Sequence, residues 1–252
     1  MFYRVYGTGM SKWLVFHGFG QDSAIFENPG PPLENATLLA FDLFYHGQST
    51  GVTNYRTLKK DLEKAFSLFL GDQDIKDFNI LTFSLGCRFG YLLSEIMTPR
   101  IQKLIMVAPE PPNGHPIFRL ATATRFNRAL FKLFLDHPAI LNLAGRLGSF
   151  AGITNKKAAG FSRVMAEKEK KRLYQTWTSF RKLRFSEDLI AGSLAGTDVH
   201  FFLGEWDSII RRKDLAGLMA KMPGVEIHLL PATHNNLLDK SLAELGKILP
   251  HE

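Results

Sequence analysis

The chain has 252 residues and a formal net charge of +7, with 45% hydrophobic and 22% charged residues. That length suits one domain carrying an insertion, or two small ones, and the composition supports a packed core, which excludes a disordered or fibrous chain. A single cysteine, Cys87, excludes an intrachain disulfide, no apolar run is long enough to span a membrane, and the first residues lack the pattern of a signal peptide. A soluble cytoplasmic protein is therefore expected.

Phe2 to Tyr6 alternates like an edge strand, and Gly7-Thr8-Gly9 turns the chain. Trp13 to Phe16 is a continuous apolar run, as expected of a strand buried on both faces, and it ends in His17-Gly18-Phe19-Gly20. A short helical stretch over Ser23 to Phe26 precedes the loop Pro29-Gly30-Pro31-Pro32. Thr37 to Phe41 is another buried strand, running into the stretch Asp42 to Ser49. From Tyr55 the period changes. Leu58, Leu62, Phe66 and Phe69 recur at helical spacing, and Gly71 is expected to close this amphipathic helix. A strand over Phe78 to Leu81, a helix over Cys87 to Met97 and a strand over Leu104 to Ala108 follow.

Strand and helix in alternation imply right-handed crossovers and a parallel sheet. From Glu110 to about Gly196 no strand is evident, and helices are expected over Ile117 to Leu135, Ala139 to Leu147 and Ala158 to Phe185. Alternation resumes with a strand over Val199 to Leu203, a helix over Lys213 to Met222, a strand over Val225 to Leu230 and a closing helix over Leu237 to Leu249. This is a parallel α/β core, residues 1–109 and 197–252, carrying a helical insertion over 110–196.

Thr82-Phe83-Ser84-Leu85-Gly86 lies between a strand and a helix, the context of a nucleophile elbow. The chain must turn sharply there and push the Ser84 hydroxyl out at the strand end. Gly86 meets the demand for a small residue where strand and helix nearly touch. Thr82 stands where that pattern has glycine. A serine nucleophile needs a base and a carboxylate to orient that base. In a parallel sheet these must lie at the carboxyl ends of strands. Asp207 follows the strand ending at Leu203, and His234 follows the strand ending at Leu230, giving the chain order Ser84, Asp207, His234.

His17 to Gly20, Asp42 to Ser49, the Ser84 elbow, Gly204 to Asp207 and His234 together resemble the α/β-hydrolase superfamily, in the branch with a helical cap inserted after the sixth strand. The matched motifs all lie in the core; the cap matches nothing assignable. The resemblance implies Ser84 as nucleophile, His234 as general base and then acid, and Asp207 as orienting carboxylate. It implies oxyanion donors in the backbone N–H groups of Phe19 and Leu85, with the Phe19 ring lining the acyl pocket. His115 and Phe118 are further pocket candidates. Glu110 is a rival for the acid, since some relatives place it after the sixth strand, and Glu205 is a weaker one. His17 and His46 are read as loop anchors, and His200 and His228 as packing residues on strands. Cys87 is read as a packing residue too.

Between Glu110 and Asp188 there are 15 Lys and Arg against 6 Asp and Glu. Solvated helix faces account for part of this. The other reading is a basic lid that steers an anionic acyl substrate, or touches an anionic lipid surface weakly. Phe118, Phe126, Phe131, Phe134 and Leu135 recur at roughly helical spacing, and as lid residues they would cover the pocket. There is no zinc-ligand spacing, phosphate loop or nucleic-acid motif, so no metal, cofactor or nucleic acid is expected, and nothing specifies an oligomer. The expected activity is hydrolysis of an ester or thioester of a small-to-medium acyl group. The same scaffold also serves lyases, acyltransferases and carbon–carbon bond hydrolases. A ligand-binding protein without catalysis is a further alternative.

Overall fold

The computed structural model describes residues 1–30, 33, 35–52, 54–137 and 166–249. Seven strands form one sheet: β1 Tyr3–Tyr6, β2 Ser11–Phe16, β3 Ala36–Phe41, β4 Phe78–Phe83, β5 Ile101–Val107, β6 Asp198–Gly204 and β7 Glu226–Leu230. Their order is β1-β3-β2-β4-β5-β6-β7. β1 runs antiparallel to β3, and every other neighbouring pair is parallel. The unbroken apolar runs lie in the middle of the sheet, where Trp13–Phe16, Ala36–Phe41 and Leu104–Val107 are all buried. Helices cover a parallel sheet on both faces, so such runs need no polar alternation.

The first long helix, α1 (Leu58–Asp72), runs through Gly71 instead of ending there. A helical glycine costs about 1 kcal/mol but does not break the helix. The stop comes two residues beyond the helix end, at Asp74, whose φ is 48°. Its N–H donates to the Gly71 carbonyl at 3.1 Å, and that of Ile75 to the Leu70 carbonyl at 2.9 Å. This is a Schellman closure with aspartate in the left-handed position, and Leu70 and Ile75 supply the buried apolar contact residues. Helix α2 spans Cys87–Met97.

Between β5 and β6 the described residues form helices and no strand. The chain divides into two compact units. The first is Met1–His115 with Lys182–Glu252, and the second is Pro116–Arg181, narrower than the expected 110–196. The single helix expected over Ile117 to Leu135 is two helices, α3 (Pro116–Thr122) and α4 (Arg125–Asp136). Thr124 breaks them. Its backbone is extended, and its Oγ1 accepts the Asn127 N–H at 3.0 Å as an N-cap. Helix α5 spans Glu167–Phe180, so the helix expected over Ala158 to Phe185 ends five residues early; residues 138–165, including the expected helix Ala139 to Leu147, lie outside the described residues. Within the second unit, the Phe131 ring stacks on Trp177 at 5.2 Å and the Phe118 ring meets Trp177 edge-on at 5.5 Å. Phe126, by contrast, is exposed.

Back in the first unit, Ser186 caps α6 (Glu187–Ser193), a helix the hydrophobic pattern did not mark. The segment expected as one helix over Lys213 to Met222 is a 3₁₀ turn, Arg212–Leu215, leading into α7 (Ala216–Lys221). The closing helix α8 is Leu237–Leu245, shorter than expected. No helix among the described residues is long and apolar enough to cross a membrane.

Among the described residues of the first unit, Arg88 and Glu110 form a buried ion pair. Arg88 on α2 donates from Nε and Nη2 to the two Glu110 carboxylate oxygens, each at 2.7 Å, and from Nη1 to the Leu183 carbonyl at 2.7 Å. Tyr91 donates to the Glu110 carbonyl at 2.9 Å. Removing one partner of such a pair strands a charge, whereas replacing both with apolar groups does not. Arg88→Ala should therefore lower unfolding stability by about 3–5 kcal/mol in urea titration. The double change Arg88→Met with Glu110→Leu should recover much of that loss.

Candidate active site

Ser84 sits between β4 and α2 with φ at 50°. A non-glycine residue held there stores about 1–3 kcal/mol of strain and needs firm surroundings. Two glycines provide them. A Cβ on Gly86 would lie 2.5 Å from the Phe16 carbonyl oxygen and 2.7 Å from that of His17, so only glycine lets α2 start against the end of β2. The second is Gly90, one turn further along α2. Its missing Cβ would lie 3.1 Å from Thr82 Cγ2 and 2.7 Å from Met106 Cε. The side chain that replaces the usual elbow glycine thus occupies space that Gly90 leaves. Thr82 is fully buried, and its hydroxyl lies 3.2 Å from Cys87 Sγ and 3.4 Å from the Ile105 carbonyl.

Asp207 follows β6 and His234 follows β7, and the loops between are tied together. The Glu205 N–H donates to the Leu230 carbonyl at 2.9 Å and the Trp206 N–H to the Ala232 carbonyl at 3.0 Å. His234 Nδ1 lies 2.7 Å from Asp207 Oδ2, and His234 Nε2 lies 3.0 Å from Ser84 Oγ. The buried Asp207 carboxylate takes two further bonds at Oδ1, from the N–H groups of Ile209 at 2.7 Å and Ile210 at 2.9 Å. In the tautomer that donates from Nδ1 to Asp207, the Nε2 lone pair of His234 faces the serine hydroxyl. The Phe83 ring lies 5.2 Å from the imidazole. A hydroxyl, an imidazole and a carboxylate linked in this order can pass a proton from the hydroxyl to the ring.

Glu110 does not reach this arrangement. Both its oxygens are held by Arg88, and the carboxylate bonded to His234 is that of Asp207. Glu205 is exposed.

The loop after β2 places Phe19 at the same edge of the sheet as Leu85. Gln21 Oε1 accepts the Gly18 N–H at 2.9 Å. His17 is fully buried; its Nε2 accepts the Leu43 N–H at 3.0 Å, so its Nδ1 donates to the Gly18 carbonyl at 2.7 Å. The Phe19 ring is half-buried and meets the His46 ring edge-on at 5.4 Å. His46 Nδ1 donates to the Phe44 carbonyl at 2.9 Å. The turn around it is built on Asp42, whose oxygens accept the N–H groups of Ser23 and Gln48, each at 2.7 Å. Both histidines therefore hold loops, as read from the sequence. His115 lies near enough to Asp214 to act on its charge, and Phe118 packs on Trp177 inside the second unit. Burial pushes the Cys87 thiol far above its usual pKa, which leaves it inert beside the elbow.

A family model described as alpha/beta hydrolase fold matches residues 14–250. The chain belongs to the alpha/beta hydrolase family. No curated protein sequence matches it. Among solved structures, a hydrolase from Oleispira antarctica is 18% identical with a TM-score of 0.64, over 99% of this chain and 94% of that one. A thermophilic esterase from Thermogutta terrifontis is 15% identical with a TM-score of 0.66, over 98% and 90%. An enol-lactonase from Burkholderia xenovorans LB400 is 16% identical with a TM-score of 0.61, over 98% and 94%. At these identities the likeness is one of fold. Membership of the alpha/beta hydrolase family places the chain among hydrolase enzymes at the level of class.

Gly90 and Gln21 carry parts of the site that the sequence reading passed over. Gly90 had a signal: a glycine inside an apolar helix, where alanine is favoured, marks a close approach. Gly90→Ala should destabilise the fold by about 1–3 kcal/mol, as overpacking does. Combining it with Thr82→Ala should return part of that loss. A double-mutant cycle read by thermal denaturation would measure this coupling; strict additivity would mean that the two positions do not share the space.

Proposed function

We propose that this protein is a serine hydrolase that cleaves an ester or thioester of a small-to-medium acyl group through an acyl-enzyme on Ser84. The observation that carries this reading is the continuous link from Ser84 Oγ through His234 to Asp207, at 3.0 Å and 2.7 Å. Its family membership supports the hydrolytic class.

Ser84 Oγ attacks the acyl carbon as His234 Nε2 takes its proton. Asp207, held by the Ile209 and Ile210 N–H groups, stabilises the imidazolium without accepting the proton. The N–H groups of Phe19 and Leu85 receive the developing oxyanion. One such donor is worth about 10²–10³ in rate. Leu85 follows the nucleophile in the turn that opens α2, so the positive end of that helix adds to the field. When the tetrahedral intermediate collapses, His234 gives its proton to the departing alcohol or thiol. Water then enters, His234 takes a proton from it, and the acyl group leaves as the acid. The +9 excess over residues 110–188 favours an anionic substrate by raising its local concentration. No cofactor takes part in this sequence.

A fluorophosphonate probe should label the protein at Ser84 and fail to label Ser84→Ala. Asp207→Asn, with Glu110 intact, should lower kcat on a p-nitrophenyl ester by about 10⁴ through the wrong histidine tautomer. Unchanged turnover would remove Asp207 from the machinery. Labelling of Ser84 without turnover of either p-nitrophenyl esters or acyl-CoA thioesters would favour lyase, transferase or carbon–carbon bond chemistry at the same serine.

A further inference from the structure

At the amino ends of β6 and β7, opposite the Ser84 edge, three ligand-bearing side chains converge. His200 and Glu226 are register partners on the two strands, and His228 follows two residues along β7 on the same face. His200 Nδ1 lies 3.1 Å from His228 Nε2 and 3.3 Å from Glu226 Oε2, and the latter two atoms are 3.8 Å apart. Four ligands placed tetrahedrally at about 2.0–2.1 Å from a zinc ion sit about 3.3 Å from one another. The three separations bracket that value before any adjustment.

The surroundings fit a cation. His200 is almost wholly buried, and its Nε2 lies 2.8 Å from Asp198 Oδ1. Asp198 is itself paired with Lys103. With the His200 proton turned toward Asp198, its Nδ1 lone pair faces a carboxylate oxygen and a second imidazole nitrogen. Three polar atoms then share one small volume, which either a proton bridging the two imidazoles or a metal ion can fill. Phe202 stacks on His228 at 4.5 Å. Glu226 is exposed and His228 half-buried, so the site is open to solvent on one side. That opening gives an ion its way in and leaves a position for water.

We propose that His200 Nδ1, His228 Nε2 and a Glu226 carboxylate oxygen bind a divalent transition-metal ion of the zinc type, with Asp198 orienting the His200 ring. A bound ion would clamp β7, the last strand of the sheet, to β6. The twenty-five residues between His200 and Glu226 explain why no ligand spacing stands out in the sequence; parallel pairing brings the two strands together.

The test uses the full chain without a histidine tag, stripped with EDTA and titrated with Co²⁺ near neutral pH. One equivalent should bind and give the visible absorption of a four-coordinate site, and Zn²⁺ should displace it. Zn²⁺ should also raise the thermal midpoint. Asp198→Asn should weaken binding about 10–100-fold, as loss of an orienting partner does. His228→Gln should abolish the spectrum. Glu226→Gln, at an exposed position, should weaken binding at least about tenfold and serves if the histidine variant does not fold. Absence of saturable binding by the folded protein would overturn the proposal, leaving two histidines that share only a proton. Binding unchanged in both Glu226→Gln and His228→Gln would also overturn it, placing the ion at other groups such as Asp207 and His234.

Discussion

Ser84 occupies a left-handed backbone conformation that a serine avoids when left to itself, with φ at 50°. The packing around the turn must therefore impose it. Gly86 lets the start of α2 rest on the carbonyls that end β2, and the buried strand β4 fixes the other side. The same contact that strains Ser84 also sets its direction. A hydroxyl aimed outward from the carboxyl end of a central strand can be met only by groups on neighbouring loops at that edge. The positions of Asp207 and His234 follow from this constraint.

Thr82 makes the constraint harder, because strand and helix are closest where its side chain lies. The structure moves the vacancy instead of widening the gap. Gly90 on α2 supplies the space that a glycine at position 82 would have left, and the Thr82 hydroxyl finds Cys87 Sγ and the Ile105 carbonyl as neighbours. The elbow keeps its shape with its small residue on the other element. Cys87 belongs to this packing, which is also why its thiol is driven far above the range in which it could react.

The core was legible because its signals are local. Apolar runs such as Trp13 to Phe16 and Leu104 to Ala108 can only be buried strands once helices alternate with them, and the order of Ser84, Asp207 and His234 then fixes which strand ends they follow. The departures have local causes of another kind. Gly71 carried a stop signal, but Asp74 made the Schellman turn, and composition does not rank a glycine against an aspartate three residues on. Thr124 split one amphipathic stretch into two helices by turning its hydroxyl to a cap, a choice that periodicity does not register. Gln21, bonded to the Gly18 N–H, was invisible because glutamine near a loop has no spacing of its own. Likewise Glu110 resembled a candidate acid until its partner Arg88, twenty-two residues away, was placed beside it.

His234 depends on a weak part of the sheet. It follows β7, a five-residue edge strand with no buried residue, whereas Ser84 follows a strand in the middle. A hydrogen bond of 3.0 Å between the two cannot persist if that edge drifts. At the carboxyl end, the Glu205 and Trp206 N–H groups bind β7 and the residues just beyond it to the loop after β6. At the amino end, His200, Glu226 and His228 are side chains that meet between the two strands. Two exposed strand ends would ordinarily carry side chains chosen for solubility. A nearly buried histidine between an aspartate and a glutamate costs desolvation, which its contacts with Asp198, Glu226 and His228 offset and which the proposed cation would offset further while tying the strands together. The proposed geometry of the proton relay at one end of β6 and β7 and the cation cluster at the other thus rest on the same two strands.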